Sequence, residues 1–195
     1  KLTYFDQVIE DVMDRNTSLA TTSFTNLEKM KTSGIELQLD YDDGDYFGDL
    51  SLAYNLENEV CDESAATQRF MADLKTNNTP EYQECRRGGF STTSYLANKV
   101  PPEISGSLHF GARFLNKKLI AGARTYYADG SHSEDYVKRD DVTTLDAYIG
   151  YAYNKHLQFE LRGSNLTDIY YLEPGAVTGI PAPGRTISVK LTSRF

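Results

Sequence analysis

Hydrophobic and polar residues alternate along several stretches of the chain, and the last stretch is the clearest. There Ile187, Val189, Leu191 and Phe195 fall on one side of an extended segment, and the residues between them are mostly polar. Because successive side chains on a strand point to opposite faces, this pattern predicts strands with one apolar and one polar face. The same pattern recurs at 35–41, 50–56, 103–114, 145–153 and 157–162, and a further strand is predicted near 119–127 after a tight turn.

Together with a poorly alternating segment at 2–12, these stretches predict about eight strands. Short connections alternate with long ones, as in an up-and-down meander, and outer-membrane barrels have short periplasmic turns and long outer loops. That orientation places Phe195 at the periplasmic end. The short turns are 42–46, 115–118 and 154–156, and the long connections are roughly 13–23, 60–99, 129–140 and 168–183.

A soluble antiparallel sandwich or barrel would also show alternating strands. Long alternating strands with a polar face and regularly alternating loop lengths favour a membrane barrel instead. No apolar run reaches the roughly 18 residues of a spanning helix, so a crossing would need strands that close into a barrel. The 14 Tyr and 9 Phe suit aromatic girdles, although the lack of Trp weakens this point. The fold class predicted is therefore all-β, an antiparallel transmembrane β-barrel.

Charge and motifs exclude several classes of function. A net charge of −8 argues against binding to nucleic acid, which would require a basic patch. The sequence contains no nucleophile-elbow, zinc-protease or phosphate-loop motif, so we expect no enzyme. The one cluster to consider, Ser131-His132-Ser133 with Glu134 and Asp135, consists of sequential neighbours, which seldom form a working triad.

The only two cysteines, Cys61 and Cys85, lie in the longest predicted loop. A disulfide between them would close about 25 residues, which loop-closure entropy values at about 3.5 kcal/mol. Such a bond requires an oxidising compartment, as the periplasm and cell surface provide. The spacing is not that of a zinc site and the loop has no His, so no metal site is expected. Helical spacing of apolar residues at 63–74 predicts a short helix capped by Asp62 or Ser64, which either packs on its neighbours or contacts a partner.

Several motifs resemble one family, the TonB-dependent receptors of the bacterial outer membrane. Each motif is short, but their order and spacing match this family along nearly the whole chain. The segment 26–37 resembles a hairpin of these barrels, 165–171 (N-L-T-D-I-Y-Y) resembles the signature before their last strand, and 183–195 resembles their closing strand.

The resemblance implies that residues 1–195 are the C-terminal part, about the last eight strands, of a 22-stranded barrel. It also implies a plug domain and a TonB-contacting segment, neither of which this sequence contains. The implied function is energy-coupled uptake of an iron compound, haem or a ferric siderophore, with no resident cofactor. Segments 171–174 and 180–185 are most similar to haem and haemophore receptors, which implies an extracellular haem-carrier protein as a further partner.

The predicted polar faces carry charges of both signs that would line the barrel lumen. They form a structural wall that holds a plug, or they form a path for substrate, and the first interpretation is preferred. The predicted lumen-facing residues are Glu36, Asp40, Glu103, Arg113, Asp146, Glu160, Arg162, Lys190 and Arg194.

Two histidines are candidate ligand contacts. His132 falls in an outer loop, where its imidazole could serve as an axial haem ligand, and His109 falls on a polar strand face. The alternative for His132 is a loop residue that binds no ligand, and the alternative for His109 is a plain hydrogen bond in the lumen. His156 is expected to be solvated in a periplasmic turn, and Arg185 to help close the last strand.

A rival interpretation is a complete eight-stranded barrel that acts as an adhesin or structural anchor, since eight strands can close alone. The first residues, Lys1 to Phe5, resemble the middle of a strand and not a signal peptide, which favours a chain truncated at its start.

Overall fold

The computed structural model describes residues 1–17, 21–76, 79–91, 94–130, 139–172 and 181–194. It contains nine strands, one α-helix and one short 3₁₀ helix. The elements are β1 (Leu2–Thr17), β2 (Thr22–Asp42), β3 (Tyr46–Cys61), α1 (Glu63–Lys75), β4 (Cys85–Arg87), the 3₁₀ helix (Leu96–Asn98), β5 (Ile104–Phe114), β6 (Leu119–Ala128), β7 (Val142–Ala152), β8 (Leu157–Ser164) and β9 (Thr186–Ser193). Neither helix in these ranges is long and apolar enough to cross a membrane.

Eight of the strands form one antiparallel meander, as the alternating pattern predicted. Their order in the sheet is β1-β2-β3-β5-β6-β7-β8-β9, and the short β4 pairs with the far end of β3. The sheet is open, because β1 and β9 lie at opposite edges and do not pair with each other within the described residues. The closed eight-stranded barrel of the rival interpretation is therefore not what the structure contains.

The sheet has one apolar and one polar face, and register fixes which residues share each face. Ile35 pairs with Tyr54, Leu37 with Leu52, and Leu50 with Leu108, so leucines of three strands lie side by side. Directly paired residues point to the same face of an antiparallel sheet. Many of these large apolar side chains are exposed, as Val189 is at 76%. Aromatic residues border the apolar face at both ends: Tyr4, Tyr54 and Tyr127 at one, and Tyr41, Tyr46, Phe114 and Tyr151 at the other.

We call the end of the sheet with the short turns β2–β3, β5–β6 and β7–β8 the inner end, and the opposite end the outer end. At the inner end, the Asp43 carboxylate accepts the backbone N–H groups of Asp45 and Tyr46, at 2.9 and 2.7 Å. Gly44 provides the positive φ of 97° that this tight turn requires. The hydrogen bonds from Tyr46 and Tyr41, followed by that from Asp45, lower the pKa of Asp43. The carboxylate therefore fixes the turn while it is ionised.

The first hairpin is much longer than predicted. Pairing of β1 with β2 continues to Thr17 and Thr22, so the prediction of a long loop at 13–23 was wrong. A strand of about 9–11 residues crosses a bilayer, whereas β2 has 21 residues. Asp11 has a positive φ of 54°, and pairing between β2 and β3 shifts at Ser33 and Gly34. These irregularities break the alternation that sequence analysis needs to recognise a strand.

The predicted loop 60–99 is a folded module joined to the outer end of β3. Cys61 and Cys85 are register partners and form the predicted disulfide, with Cα atoms 3.9 Å apart. The helix predicted at 63–74 is α1, and of the two predicted caps Asp62 is the one used: its carboxylate accepts Ala65 N–H at 2.7 Å and Glu28 N–H of β2 at 3.2 Å. The buried residues of this module include Val60, Cys61, Ala66, Ser94, Ala97 and Val100.

Candidate functional site on the polar face

Register places the predicted lumen-facing residues on one face of the sheet. Asp40 pairs with Asp49, Arg124 with Asp146, and Glu160 with Lys190, so charges of neighbouring strands lie together. Two of the predicted residues lie just outside strands. Glu103 immediately precedes β5 and Arg194 immediately follows β9. The remaining ones, in strands, are Glu36, Asp40, Arg113, Asp146, Glu160, Arg162 and Lys190.

A chain of hydrogen bonds crosses the middle of this face. His109 Nδ1 lies 2.8 Å from Asp49 Oδ1, and its Nε2 lies 3.0 Å from the Tyr148 hydroxyl. The Tyr148 ring reaches across β6 because Gly122 lies beneath it, and a Cβ there would meet the hydroxyl at 2.6 Å. His109, predicted as a possible ligand contact, therefore has both ring nitrogens engaged by protein side chains. Sequence analysis did not single out Asp49 or Tyr148, since only register shows that they face the histidine.

A second cluster lies nearer the inner end. Arg113 makes a two-pronged contact with the Asp42 carboxylate, with N–O distances of 2.8 and 2.9 Å. Its guanidinium also lies 4.3 Å from the centroid of the Phe47 ring. That ring occupies the space above Gly111, where a side chain would collide with it. Arg113 therefore has a structural role that joins the β2–β3 turn to β5.

An open groove of about 530 Å³ lies on the outer half of the polar face. Small side chains such as Ser51, Ala53 and Ser105 form its floor, which makes room for a ligand or another part of the protein. Charged groups of both signs line it, including Glu36, Arg124 and Asp146. The groove is thus polar and mixed in charge.

Two of the motifs noted in the sequence meet beside the last strand. Asp168 accepts the backbone N–H and the guanidinium of Arg185, both at 2.9 Å. Asn165 donates to the carbonyl oxygens of Ile169 and Pro183 and accepts Ile169 N–H. Both Asn165 and Asp168 have positive φ, of 47° and 56°, a conformation that these two residue types tolerate. Hydrogen bonds from Arg185 N–H and then from its side chain lower the pKa of Asp168.

The other predicted site residues are distributed as follows. His132 lies outside the described residues. His156 is exposed in an inner turn, where its Nδ1 lies 2.8 Å from the Arg194 carbonyl oxygen. Among described residues, Glu59, Cys61 and Cys85 could group around a metal ion, but both sulfurs are already bonded to each other. The described residues therefore offer no thiolate ligand in this oxidised state.

Comparison with known proteins identifies the family. The TonB dependent receptor-like β-barrel family matches residues 1–166. The chain belongs to the TonB-dependent receptors. Its relatives include the hemophilin receptor of Acinetobacter baumannii, 36% identical over 217 aligned residues that cover 100% of this chain and 20% of the relative. A probable TonB-dependent receptor of Haemophilus influenzae is 27% identical over 74% of this chain and 18% of its own length.

Solved structures of TonB-dependent receptors share the fold. The FrpB iron transporter of Neisseria meningitidis matches with a TM-score of 0.68 and 16% identity, over 100% of this chain and 28% of that one. The hemophore receptor HasR of Serratia marcescens, solved with its hemophore HasA and heme, matches with a TM-score of 0.63 and 24% identity, over 100% and 27%. The chain thus spans about a fifth of the length of its curated relatives. Its sheet corresponds to the C-terminal barrel part of these receptors.

Proposed function

We propose that this chain is the C-terminal barrel part of an outer-membrane transporter that takes up an iron compound, with haem delivered by an extracellular carrier protein as the leading case. The observation that carries this proposal is the 36% identity to a hemophilin receptor along the entire chain. The fold likeness to the hemophore receptor HasR supports the proposal, because that receptor was solved with its hemophore and heme. Residues 1–195 would then be one portion of a larger barrel, with a plug and a TonB-contacting segment in other portions of the receptor.

The two faces suit this role. In the proposed receptor, the apolar face with its aromatic borders contacts lipid, and the polar face lines the lumen. The hydrogen-bonded chain through His109 and the pair Arg113–Asp42 stiffen the wall, and the mixed charges of the outer groove face the plug or the cargo. The iron compound is cargo and is released unchanged, so transport requires movement and no bond chemistry.

The long β1–β2 hairpin and the disulfide module fit a carrier-protein partner. They extend the sheet at the outer end, where outer-membrane barrels have their long loops. In the proposed receptor this places α1 above the membrane, on the side from which a carrier arrives. The module is braced by the Cys61–Cys85 bond and by Asp62, so it presents a firm surface.

The histidines have different proposed roles. We assign His109 to the wall, since both its nitrogens are engaged. His132 remains the candidate axial haem ligand from the outer loop. Replacing His132 with alanine should shift the visible absorption band of haem bound to the full receptor, and His156→Ala, in an inner turn, is the matched control.

The function can be tested by growth of the bacterium that carries this gene, under iron starvation. We expect deletion of the receptor to reduce growth on carrier-bound haem at least tenfold, and deletion of TonB to do the same. Growth on a soluble ferrous salt is the control, because it should not need the receptor. Loss of growth on a ferric siderophore with unchanged growth on haem would move the assignment to siderophores. Equal growth of the deletion strain and the wild type on every iron source would refute a role in iron uptake.

A further inference from the structure

A hollow at the inner end of the polar face concentrates positive charge. It has a volume of about 310 Å³ and lies between the β5–β6 turn and strands β7, β8 and β9. Ala152 contributes little side chain to its wall, and the Ile120 side chain lies over Gly150. We call this hollow the inner pocket. The charged residues that line it are Lys117, Lys118, Glu160, Lys190 and Arg194.

Of the described residues that line the inner pocket, one has a carboxylate, and a residue outside the pocket already neutralises it. Glu160 Oε1 accepts Arg162 Nη2 at 2.7 Å. Lys190 lies directly opposite Glu160 in register, yet the two form no ion pair within 4.0 Å. Over the described ranges, from 1–17 to 181–194, Lys118 and Arg194 have no carboxylate within that distance either. Among the described residues, no carboxylate therefore compensates their positive charges inside the pocket.

Lys117 is the exception among the four cations. Its Nζ lies 3.5 Å from the point where a Cβ on Gly44 would be, so it reaches toward the acidic 42–46 turn. That leaves Lys118, Lys190 and Arg194 as the cations directed at one hollow. The chain as a whole has a net charge of −8, but these three positive groups repel one another. An anion bound between them would offset that repulsion.

We propose that the inner pocket binds a small multivalent oxyanion, one that carries several carboxylate or phosphate groups. Ammonium and guanidinium groups are the usual protein donors to such oxygens. The pocket opens on the polar face, which in the proposed receptor lines the lumen around the plug and does not contact lipid. A soluble anion is therefore favoured over a lipid headgroup. The site is separate from the outer groove and does not depend on which iron compound is carried.

Calorimetric titration of the purified full receptor tests this site at low ionic strength. Citrate and pyrophosphate are the soluble probes, and dispersed short-chain phosphatidylglycerol is the lipid probe. We expect saturable binding of a soluble probe by the wild type and at least tenfold weaker binding by the double variant Lys190→Gln with Arg194→Gln. Lys155→Gln removes one positive charge from the neighbouring 154–156 turn, outside the pocket, and should bind as the wild type does.

A second variant separates charge from folding. Exchange of the two cations, Lys190→Arg with Arg194→Lys, keeps both charges and should keep binding within about threefold. No saturable binding by the wild type would overturn the proposal, as would binding of the lipid probe alone. An equal loss in the Lys155→Gln control would also overturn it, because the effect would then come from net charge and not from the pocket.

Discussion

Individual glycines on the polar face have a specific purpose, which is to let a large ring lie across a neighbouring strand. Gly122 lies under Tyr148, and Gly111 lies under Phe47. The sequence shows glycine within an alternating strand but cannot show which ring covers it, because that depends on register between strands. The same limitation concealed Asp49 as the partner of His109.

Tyr148→Phe should remove the hydrogen bond to His109 Nε2 and leave the packing over Gly122 intact. A hydrogen bond of this kind contributes about 0.5–1.5 kcal/mol. We therefore expect a fall of that size in the free energy of unfolding of the full receptor, measured with guanidinium in detergent. Tyr151→Phe, on the apolar face of the same strand, should change nothing. Equal effects of both variants would contradict the network.

The contact between Asp168 and Arg185 should depend on pH. Because the pKa of Asp168 is lowered from its ordinary value of 3.8, the contact stabilises the fold fully above that value. The stabilisation is lost as pH falls through the lowered pKa. We expect the Arg185 amide, which donates to this carboxylate, to lose protection from hydrogen exchange in that acidic range, after correction against an unstructured peptide.

Asp168→Asn should abolish that pH dependence, since an amide cannot ionise. Asp6→Asn, an exposed position on β1, should retain it. Protection of Arg185 that does not change with pH in the wild type would show that the carboxylate is not what holds the segment.

At the scale of elements, alternation in the sequence predicted most of the eight main strands and the short inner turns, and β1 was predicted although its segment alternates poorly. It failed where the pairing itself is irregular. The outer part of the β1–β2 hairpin is rich in Asp, Asn, Thr and Lys. Because polar segments were expected to be loops, it was predicted as a loop at 13–23 and not as paired strands. The disulfide and α1 were predicted because cysteine count and helical spacing are local signals, whereas β4 is only three residues long and gives none.

The disulfide should stabilise the outer module and leave the barrel strands unaffected. Its cysteines are 24 residues apart in sequence, so chain entropy sets an upper value of about 3.5 kcal/mol. Cys61→Ser with Cys85→Ser should speed hydrogen exchange in α1 and leave exchange in β6 and β7 unchanged. Asp62→Ala removes the helix cap together with the hydrogen bond from Glu28 N–H, and should cost about 0.5–2 kcal/mol. Unchanged exchange in α1 without the disulfide would contradict this.

The apolar face can be tested by comparing adjacent residues of β2. Leu37→Arg places a charge on the apolar face and should destabilise the receptor in lipid vesicles by about 2–4 kcal/mol if it lies near the midplane. Gln38→Arg places the same charge on the polar face and should have a much smaller effect. The measurement is the unfolding free energy of each full-length variant. Similar losses for both would argue against a lipid-facing role for Leu37.

For the molecule as a whole, the two free edges are the dominant feature. β1 and β9 expose backbone groups that no strand in the described residues satisfies, and unsatisfied groups are costly in lipid. Residues 1–195 produced alone should therefore aggregate or associate through these edges and fail to form a discrete, heat-modifiable monomer in detergent. The full receptor, refolded in parallel, should form one. A stable pore-forming monomer of the fragment would revive the eight-stranded interpretation.

The disulfide also bears on the order of assembly. Because Cys61 and Cys85 are brought together by the pairing of β3 with β4, the ring can close as soon as those segments meet, without the remaining strands. Oxidation in the periplasm would then precede insertion of the barrel. The segment would then cross the bilayer as a closed covalent ring that already contains α1. The machinery that inserts this receptor would have to open wide enough for a folded loop and not only for a single extended chain.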